Sequence, residues 1–199
     1  MRVIAGKYRS RRLRTLRGMA LRPSSDRLRE TLFNILGPAL EDSIFLDLFA
    51  GSGAVGIEAL SRGARAAIFV ENHPAGAALI SRNLASLEIP IARQVATRKT
   101  FAGTGEILRM DALDALELLT DAGARIDFVF ADPPYAKTRA YEEILGFLGQ
   151  SELLARKSRV IAEHRRNREL PPMVGYLERT RVLEQGDTAL SFYSSILAA

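Results

Sequence analysis

The chain contains no cysteine, which excludes a disulfide framework, a thiolate zinc site and thiol catalysis. It has no apolar run long enough to span a bilayer, and its first arginines are not followed by the apolar core of a signal peptide, so a cytoplasmic protein without membrane contact is expected. His73 and His164 are the only histidines, and neither stands at a metal-like spacing from a partner. A surface or helix-end role is expected for both, and no metal is expected. Acid is absent from residues 1–25, although that stretch carries Arg2, Lys7, Arg9, Arg11, Arg12, Arg14, Arg17 and Arg22. With 199 residues, 47% of them hydrophobic, the chain can build one main core and a small appendage.

The acid-free stretch reads as two short strands, 2–7 and 9–14, around a turn containing Gly6. This makes residues 1–20 a basic β-hairpin extension and 21–199 the main domain. Because the charge is of one sign and interleaved with Val3, Ile4, Tyr8 and Leu13, a folded grip on a polyanion is favoured over a disordered basic tail or a solvated face. Arginine pairs bidentately with phosphate and stacks on bases, so Arg9, Arg11, Arg12, Arg14 and Arg22 are the candidate nucleic-acid contacts.

Residues 21–36 form a turn and cap signal followed by an amphipathic helix that stops near Gly37-Pro38. Beyond it the pattern alternates: strands at 44–49, 66–71, about 105–110, 126–131 and 158–163, with helices at 54–62, 74–87, 112–120 and 138–149 between them. Two further extended runs, 176–184 and 188–197, lack a helix between them and suit an antiparallel hairpin. The class is α/β, a doubly wound and mostly parallel sheet. Residues 91–105 are polar and basic and read as a long surface loop.

Two strand ends carry chemistry. Asp47 precedes Phe49-Ala50-Gly51-Ser52-Gly53-Ala54-Val55-Gly56, a G-x-G-x-x-G turn between strand and helix, and Glu71 lies twenty positions beyond Gly51. That fingerprint alone suits a dinucleotide, but a carboxylate beside the turn repels a pyrophosphate and attracts a sulfonium and an ammonium, as in S-adenosylmethionine. The glycine context favours this reading of Asp47 over a helix-cap or turn carboxylate. Glu71 accepts from ribose hydroxyls with either cofactor, and Asp111 with Ala112 stands where adenine would lie, although Asp111 also reads as a helix N-cap.

The second strand end is Asp132-Pro133-Pro134-Tyr135. Two prolines stiffen the turn and remove N–H donors, so a carboxylate, an outward carbonyl and a ring stand together, a set suited to a planar base bearing an exocyclic amine. A stiff strand-to-helix turn with an Asp cap reads equally well from these four residues alone.

The ordered set Leu46–Gly53, Glu71, Asp111 and Asp132-Pro133-Pro134-Tyr135 resembles the class I S-adenosylmethionine-dependent amino-methyltransferases. More narrowly, residues 2–7, the helix containing Arg29-Glu30-Thr31-Leu32-Phe33-Asn34, and residues 53–63 resemble the RsmD-type family, which methylates the exocyclic N2 amine of a guanine in 16S ribosomal RNA. The resemblance spans most of the chain. It implies a Rossmann-like seven-stranded sheet, S-adenosylmethionine held by Asp47, Phe49, Ala50, Gly51, Gly53, Glu71, Asn72, Asp111 and Ala112, and catalysis by Asp132, Pro133 and Tyr135. It further implies the small ribosomal subunit or an assembly intermediate as partner, and a monomer is expected. The 91–105 loop is longer than the family pattern, and Tyr135 stands where the family often has Phe. Three other readings remain at this point: an adenine-N6 DNA methyltransferase, a dinucleotide oxidoreductase, and a non-catalytic ribosome-assembly protein.

Overall fold

The computed structural model describes residues 1–15, 26–92, 102–134 and 139–196. Strands β1 (Ile44–Asp47), β2 (Ala66–Val70), β3 (Thr104–Leu108), β4 (Ile126–Ala131) and β5 (Leu154–Arg165) run parallel, and the last of them pairs antiparallel with β8 (Thr188–Ser195). The sheet continues through β7 (Leu177–Gln185) to the two-residue β6 (Met173–Val174), giving the order β3-β2-β1-β4-β5-β8-β7-β6. Among the described residues the sheet therefore has eight strands rather than seven. The extra one is too short to leave a pattern of its own, and it pairs only Met173 with Glu178 and Val174 with Leu177. β5 begins at Leu154 rather than near residue 158, because its polar first half pairs at Ile126 before a register shift and re-pairs at Phe128.

Helices α1 (Asp26–Leu36), α2 (Ala54–Ser61) and α3 (Pro74–Ser86) sit with the face that presents Phe45, Ala67 and Phe69. Helices α4 (Ala112–Asp121) and α5 (Ala140–Leu148) cover the opposite face around Ile44, Leu46, Ile68 and Val129. Burial on both sides explains why β1 and β2 read as continuous apolar runs, with every residue of each buried. The sequence reversal between β1 and β4 opens a crevice at their carboxyl ends, where ligands of doubly wound sheets bind.

The amino-terminal residues double back, but not as two strands. A single antiparallel bridge joins Arg2 to Arg12, and the tip is a pair of turns in which Arg9 N–H donates to the Gly6 carbonyl and Arg11 N–H to that of Tyr8. The ladder is short because other groups take the main chain. Ile4 and Ala5 N–H both donate to the Glu58 carboxylate, at 2.8 and 3.0 Å, while Lys7 N–H reaches the Ser61 carbonyl and Tyr8 N–H its hydroxyl. Val3 and Leu13 are buried in one core cluster with Ala54, Ile57 and Phe69. Gly6 makes this docking sterically feasible: it has φ +80°, and a Cβ there would fall 1.8 Å from the Ser61 carbonyl oxygen. Gly6→Ala is expected to cost more than about 1 kcal/mol in urea unfolding and to expose the arm to protease. Unchanged stability and cleavage would mean that this packing does not hold the arm.

Candidate active site

Asp47 ends β1 and lies 1% exposed beneath the glycine turn. Its Oδ2 accepts the Gly56 N–H at 3.1 Å, in the first turn of α2, so the cap role is present. Burial pushes this carboxyl up to about 7, the Gly56 N–H opposes the rise, and the charges of Glu71 and Glu163 add to it. The turn above it is left-handed at both Gly51 (φ +53°) and Gly53 (φ +78°), which a side chain would resist. Gly53 N–H closes it onto the Ala50 carbonyl, and Ala50 N–H donates to the Val70 carbonyl at 2.9 Å.

Glu71, one residue past β2, links that turn to the next strand end. Its Oε2 accepts the Gly51 N–H at 2.9 Å and its Oε1 the His73 N–H at 2.8 Å. Each oxygen keeps a further lone pair for a hydroxyl. Asp111 takes the N-cap position of α4 in extended backbone, and its carbonyl accepts the Ala115 N–H. Between these strand ends lies a small cleft open to solvent, lined by Leu48, Phe49, Val70, Glu71, Asn72, Met110, Asp111 and Ala112. The cleft thus gathers Phe49, Glu71, Asn72, Asp111 and Ala112 from the nominated cofactor set. It adds Leu48, Val70 and Met110, apolar neighbours of the nominated residues that carry no chemical signature of their own. Asp47, Ala50, Gly51 and Gly53 lie beside it, in and under the glycine turn.

Asp132 follows β4 and is half-buried, with Pro133 buried beside it and Pro134 exposed. Its carboxyl is raised well above the usual range, first by burial and then by the charges of Glu163 and Asp47. The β4–β5 register pairs Ala131 with Ala162, which puts Glu163 one step along beside Asp132. Sequence reasoning missed Glu163. Its signal was an acid closing the apolar run Val160-Ile161-Ala162, the same pattern that singled out Asp47 and Asp132. β1, β4 and β5 are neighbours in the sheet, so their three buried or half-buried acids converge on one edge. Tyr135 lies outside the described residues, as do Arg22 and, in the 91–105 loop, Arg93, Arg98 and Lys99.

His73 caps α3, its Nδ1 accepting the Ala75 N–H at 3.2 Å, as a helix-end role requires. His164 departs from expectation: it is an interior residue of β5, 3% exposed, with Nε2 2.9 Å from the Ser191 hydroxyl and Nδ1 2.9 Å from the Arg165 carbonyl. The cause is the length of β5, which carries position 164 into the ladder opposite Ala189, where burial holds the imidazole below its usual range. Among the described residues, no group of three His, Asp or Glu is arranged to hold a metal ion.

On the arm, Arg9, Arg11, Arg12 and Arg14 are all exposed. The arm is fastened through its main chain. Besides the N–H groups on Glu58 and Ser61, the Arg2 carbonyl accepts from Arg29 Nη2 at 2.6 Å, and Arg14 N–H and carbonyl both bond Asn83. Glu58 is itself fully buried and takes Arg62 Nε at 2.8 Å, with Arg29 Nε 3.8 Å away. The Arg29 helix and the 53–63 segment, which carried the family resemblance, are thus the dock for the opening residues. Glu58, Ser61 and Asn83 were not nominated, since their partners are more than fifty residues away in the chain.

The comparisons agree with this architecture. A family model described as conserved hypothetical protein 95 matches residues 1–194. The Escherichia coli protein named ribosomal RNA small subunit methyltransferase D is 34% identical over 193 residues, covering 97% of this chain and 89% of that one. The solved structure of the Escherichia coli protein yhhF superposes with a TM-score of 0.78 and 31% identity, covering 98% of this chain and 97% of that one. An RNA methyltransferase from Salinibacter ruber in complex with S-adenosyl-L-homocysteine shares the fold, with a TM-score of 0.60 and 14% identity, covering 89% of this chain and 95% of that one. By a match that runs from the docked arm to the last strand, the chain belongs to the family described as conserved hypothetical protein 95, the RsmD-type ribosomal RNA methyltransferases.

Proposed function

We propose that the protein transfers a methyl group from S-adenosylmethionine to the exocyclic N2 amine of a guanine in 16S ribosomal RNA. It would act as a monomer, in the cytoplasm, on the small ribosomal subunit or its assembly intermediate. The observation that carries this reading is the convergence of Asp47, Asp132 and Glu163 on one sheet edge beside the cleft. A site so rich in buried acid is matched by a cationic cofactor and repels a pyrophosphate. The cleft lined by Glu71, Asn72 and Asp111-Ala112 together with Leu48, Phe49, Val70 and Met110 suits a nucleoside, with Glu71 accepting from the ribose and the Ala112 region facing the base. When bound there, the cofactor supplies an electrophilic methyl group on a sulfonium.

The chain's part in the reaction is positioning. The guanine amine is a weak nucleophile because its lone pair is delocalised into the ring. Asp132 and the Pro133 carbonyl accept its two hydrogens and draw the lone pair out of conjugation, while the Tyr135 ring stacks on the base. Methylation leaves the nitrogen cationic, and its proton passes to the Asp132 carboxylate, directly or through water, and then to solvent. The exposed arm arginines grip phosphates away from this centre. Mass mapping of 16S ribosomal RNA from cells with and without the gene tests the assignment: one guanine lighter by a methyl group in the deletion strain is expected, and an unchanged map would refute it.

A second consequence concerns cofactor binding. A cation favours ionised Asp47, whose proton leaves only near 7 in the ligand-free protein. Affinity for S-adenosylmethionine should therefore rise with pH through about 7 and level off above it. Asp47→Asn should weaken binding at pH 8 by about 1 to 3 kcal/mol and flatten this rise. The unfolded chain releases the same proton near 3.8, so the ligand-free protein should lose stability as pH rises from about 4 to about 7. Calorimetry at pH 6, 7 and 8 decides: an unaltered pH slope in the variant would remove Asp47 from the account.

A further inference from the structure

We propose that Asn83 couples the arm to the glycine turn, so that gripping RNA and binding the cofactor reinforce each other. This rests on the reading above, in which the arm grips RNA and the turn borders the cofactor. Asn83 lies on α3 and is fully buried. Its Oδ1 accepts the Arg14 N–H at 2.9 Å, and its Nδ2 donates both to the Arg14 carbonyl at 3.1 Å and to the Ser52 carbonyl at 2.8 Å. One amide therefore serves the last described part of the arm and the central residue of the turn. A second link runs beside it: the Ser52 hydroxyl donates to the Met1 sulfur at 3.7 Å, and the Met1 carbonyl accepts the Leu13 N–H at 3.1 Å.

Ser52 is flanked by two glycines in left-handed conformation, so the turn has little steric restraint of its own and depends on what its polar groups meet. An arm that lifts away strips Asn83 of two of its three hydrogen bonds. With Arg14 gone and water admitted in its place, the amide is free to turn toward solvent, and its hold on the Ser52 carbonyl is loosened. RNA that immobilises the arm works in the opposite direction: it keeps Arg14 on Asn83, and Asn83 on Ser52. The coupling is reciprocal, because the cofactor must tighten RNA binding by the same factor by which RNA tightens the cofactor. Asn83 is on this account a positioning residue, remote from the reacting atoms.

Equilibrium dialysis of labelled S-adenosylhomocysteine against the full chain, alone and with excess unmethylated small subunits, measures the coupling. In the wild type the subunits should raise affinity about fivefold or more. Asn83→Ala should bind each partner more weakly alone and show a ratio near one. Asn83→Asp, which keeps the acceptor for Arg14 N–H but turns an oxygen on two carbonyls, should behave alike. A merely structural role would weaken both affinities and leave the ratio unchanged, which would overturn the proposal, as would a ratio of one in the wild type. Should Asn83→Ala fail to fold, hydrogen exchange on the wild type still decides: added subunits should slow exchange across residues 51–53, and unchanged protection refutes the coupling. Unchanged RNA affinity on replacing the arm arginines would instead refute the RNA grip itself, so the two failures are distinguishable.

Discussion

Asp132→Ala abolishes methyl transfer while leaving cofactor affinity within a few-fold. The expectation follows from where the carboxylate stands. It follows β4 next to Pro133, outside the cleft lined by Glu71 and Asp111, and on the proposed reading it serves the acceptor amine rather than the cofactor. Loss of a positioned proton acceptor costs roughly 10²- to 10⁴-fold in rate, and loss of the hydrogen bond that orients the amine adds to it. Asp132→Asn, which keeps an oxygen acceptor without the charge, should recover orientation but not proton removal. The wild-type rate should also depend on pH. Burial, Glu163 and Asp47 hold the ligand-free Asp132 carboxyl above its ordinary range, so the ionised form, and with it the rate, grows as pH rises. Single-turnover transfer with saturating small subunits, beside calorimetry with S-adenosylhomocysteine, separates chemistry from binding. An alanine variant within tenfold of the wild-type rate would place the acceptor elsewhere.

Replacing Arg9, Arg11, Arg12 and Arg14 together with Gln should leave cofactor binding intact in the absence of RNA, raise the apparent KM for small subunits and flatten the salt dependence of binding. Each phosphate that is no longer neutralised takes about 0.7 to 0.9 off the log-log salt slope, so four arginines together shift affinity by orders of magnitude at low salt and by much less at high salt. The arm should remain folded in this variant, because its fastenings are the Ile4, Ala5, Lys7, Tyr8 and Arg14 main-chain groups; among the described residues, the substitutions remove one side-chain bond, from Arg11 to the Ser86 carbonyl. Binding measured from low to high salt gives the slope directly. A variant that keeps both affinity and slope would make the arm a solvated face and move the search to Arg93, Arg98 and Lys99.

The strand ends were legible because local rules set them: apolar runs stop, a glycine turn or a proline pair follows, and an acid stands at the junction. β1, β2 and β4 end within two residues of their expected positions, with Asp47, Glu71 and Asp132 where ligands of such sheets bind. Glu163 follows the same rule but lacks a turn motif after it, so nothing drew attention to it. The arm failed for a different reason. Its alternation is that of two strands, yet a main-chain N–H has no identity in the sequence, and nothing in Ile4 or Ala5 announces that Glu58 will take it. The dock was visible only as resemblance, in Arg29, Glu58 and Ser61, without its physical purpose. His164 was misplaced for a related reason: β5 extends four residues before 158 and two beyond 163, and a polar side chain inside it is satisfied by Ser191 from a strand still to come.

An arm held by its backbone is a socket that ignores what it carries. Glu58, Ser61 and Asn83 grasp peptide groups, which every residue except proline presents alike, so the side chains that matter to the anchor are the inward ones: Gly6, pressed against a carbonyl, the buried Val3 and Leu13, and Met1 and Tyr8 packed beside them. The outward positions 9, 12 and 14 are therefore open to redesign, and position 11 at the loss of the Arg11 bond to the Ser86 carbonyl. On the proposed reading, in which this arm grips RNA, aromatic or amide side chains grafted there would turn the protein toward a differently shaped RNA, with the anchor unchanged.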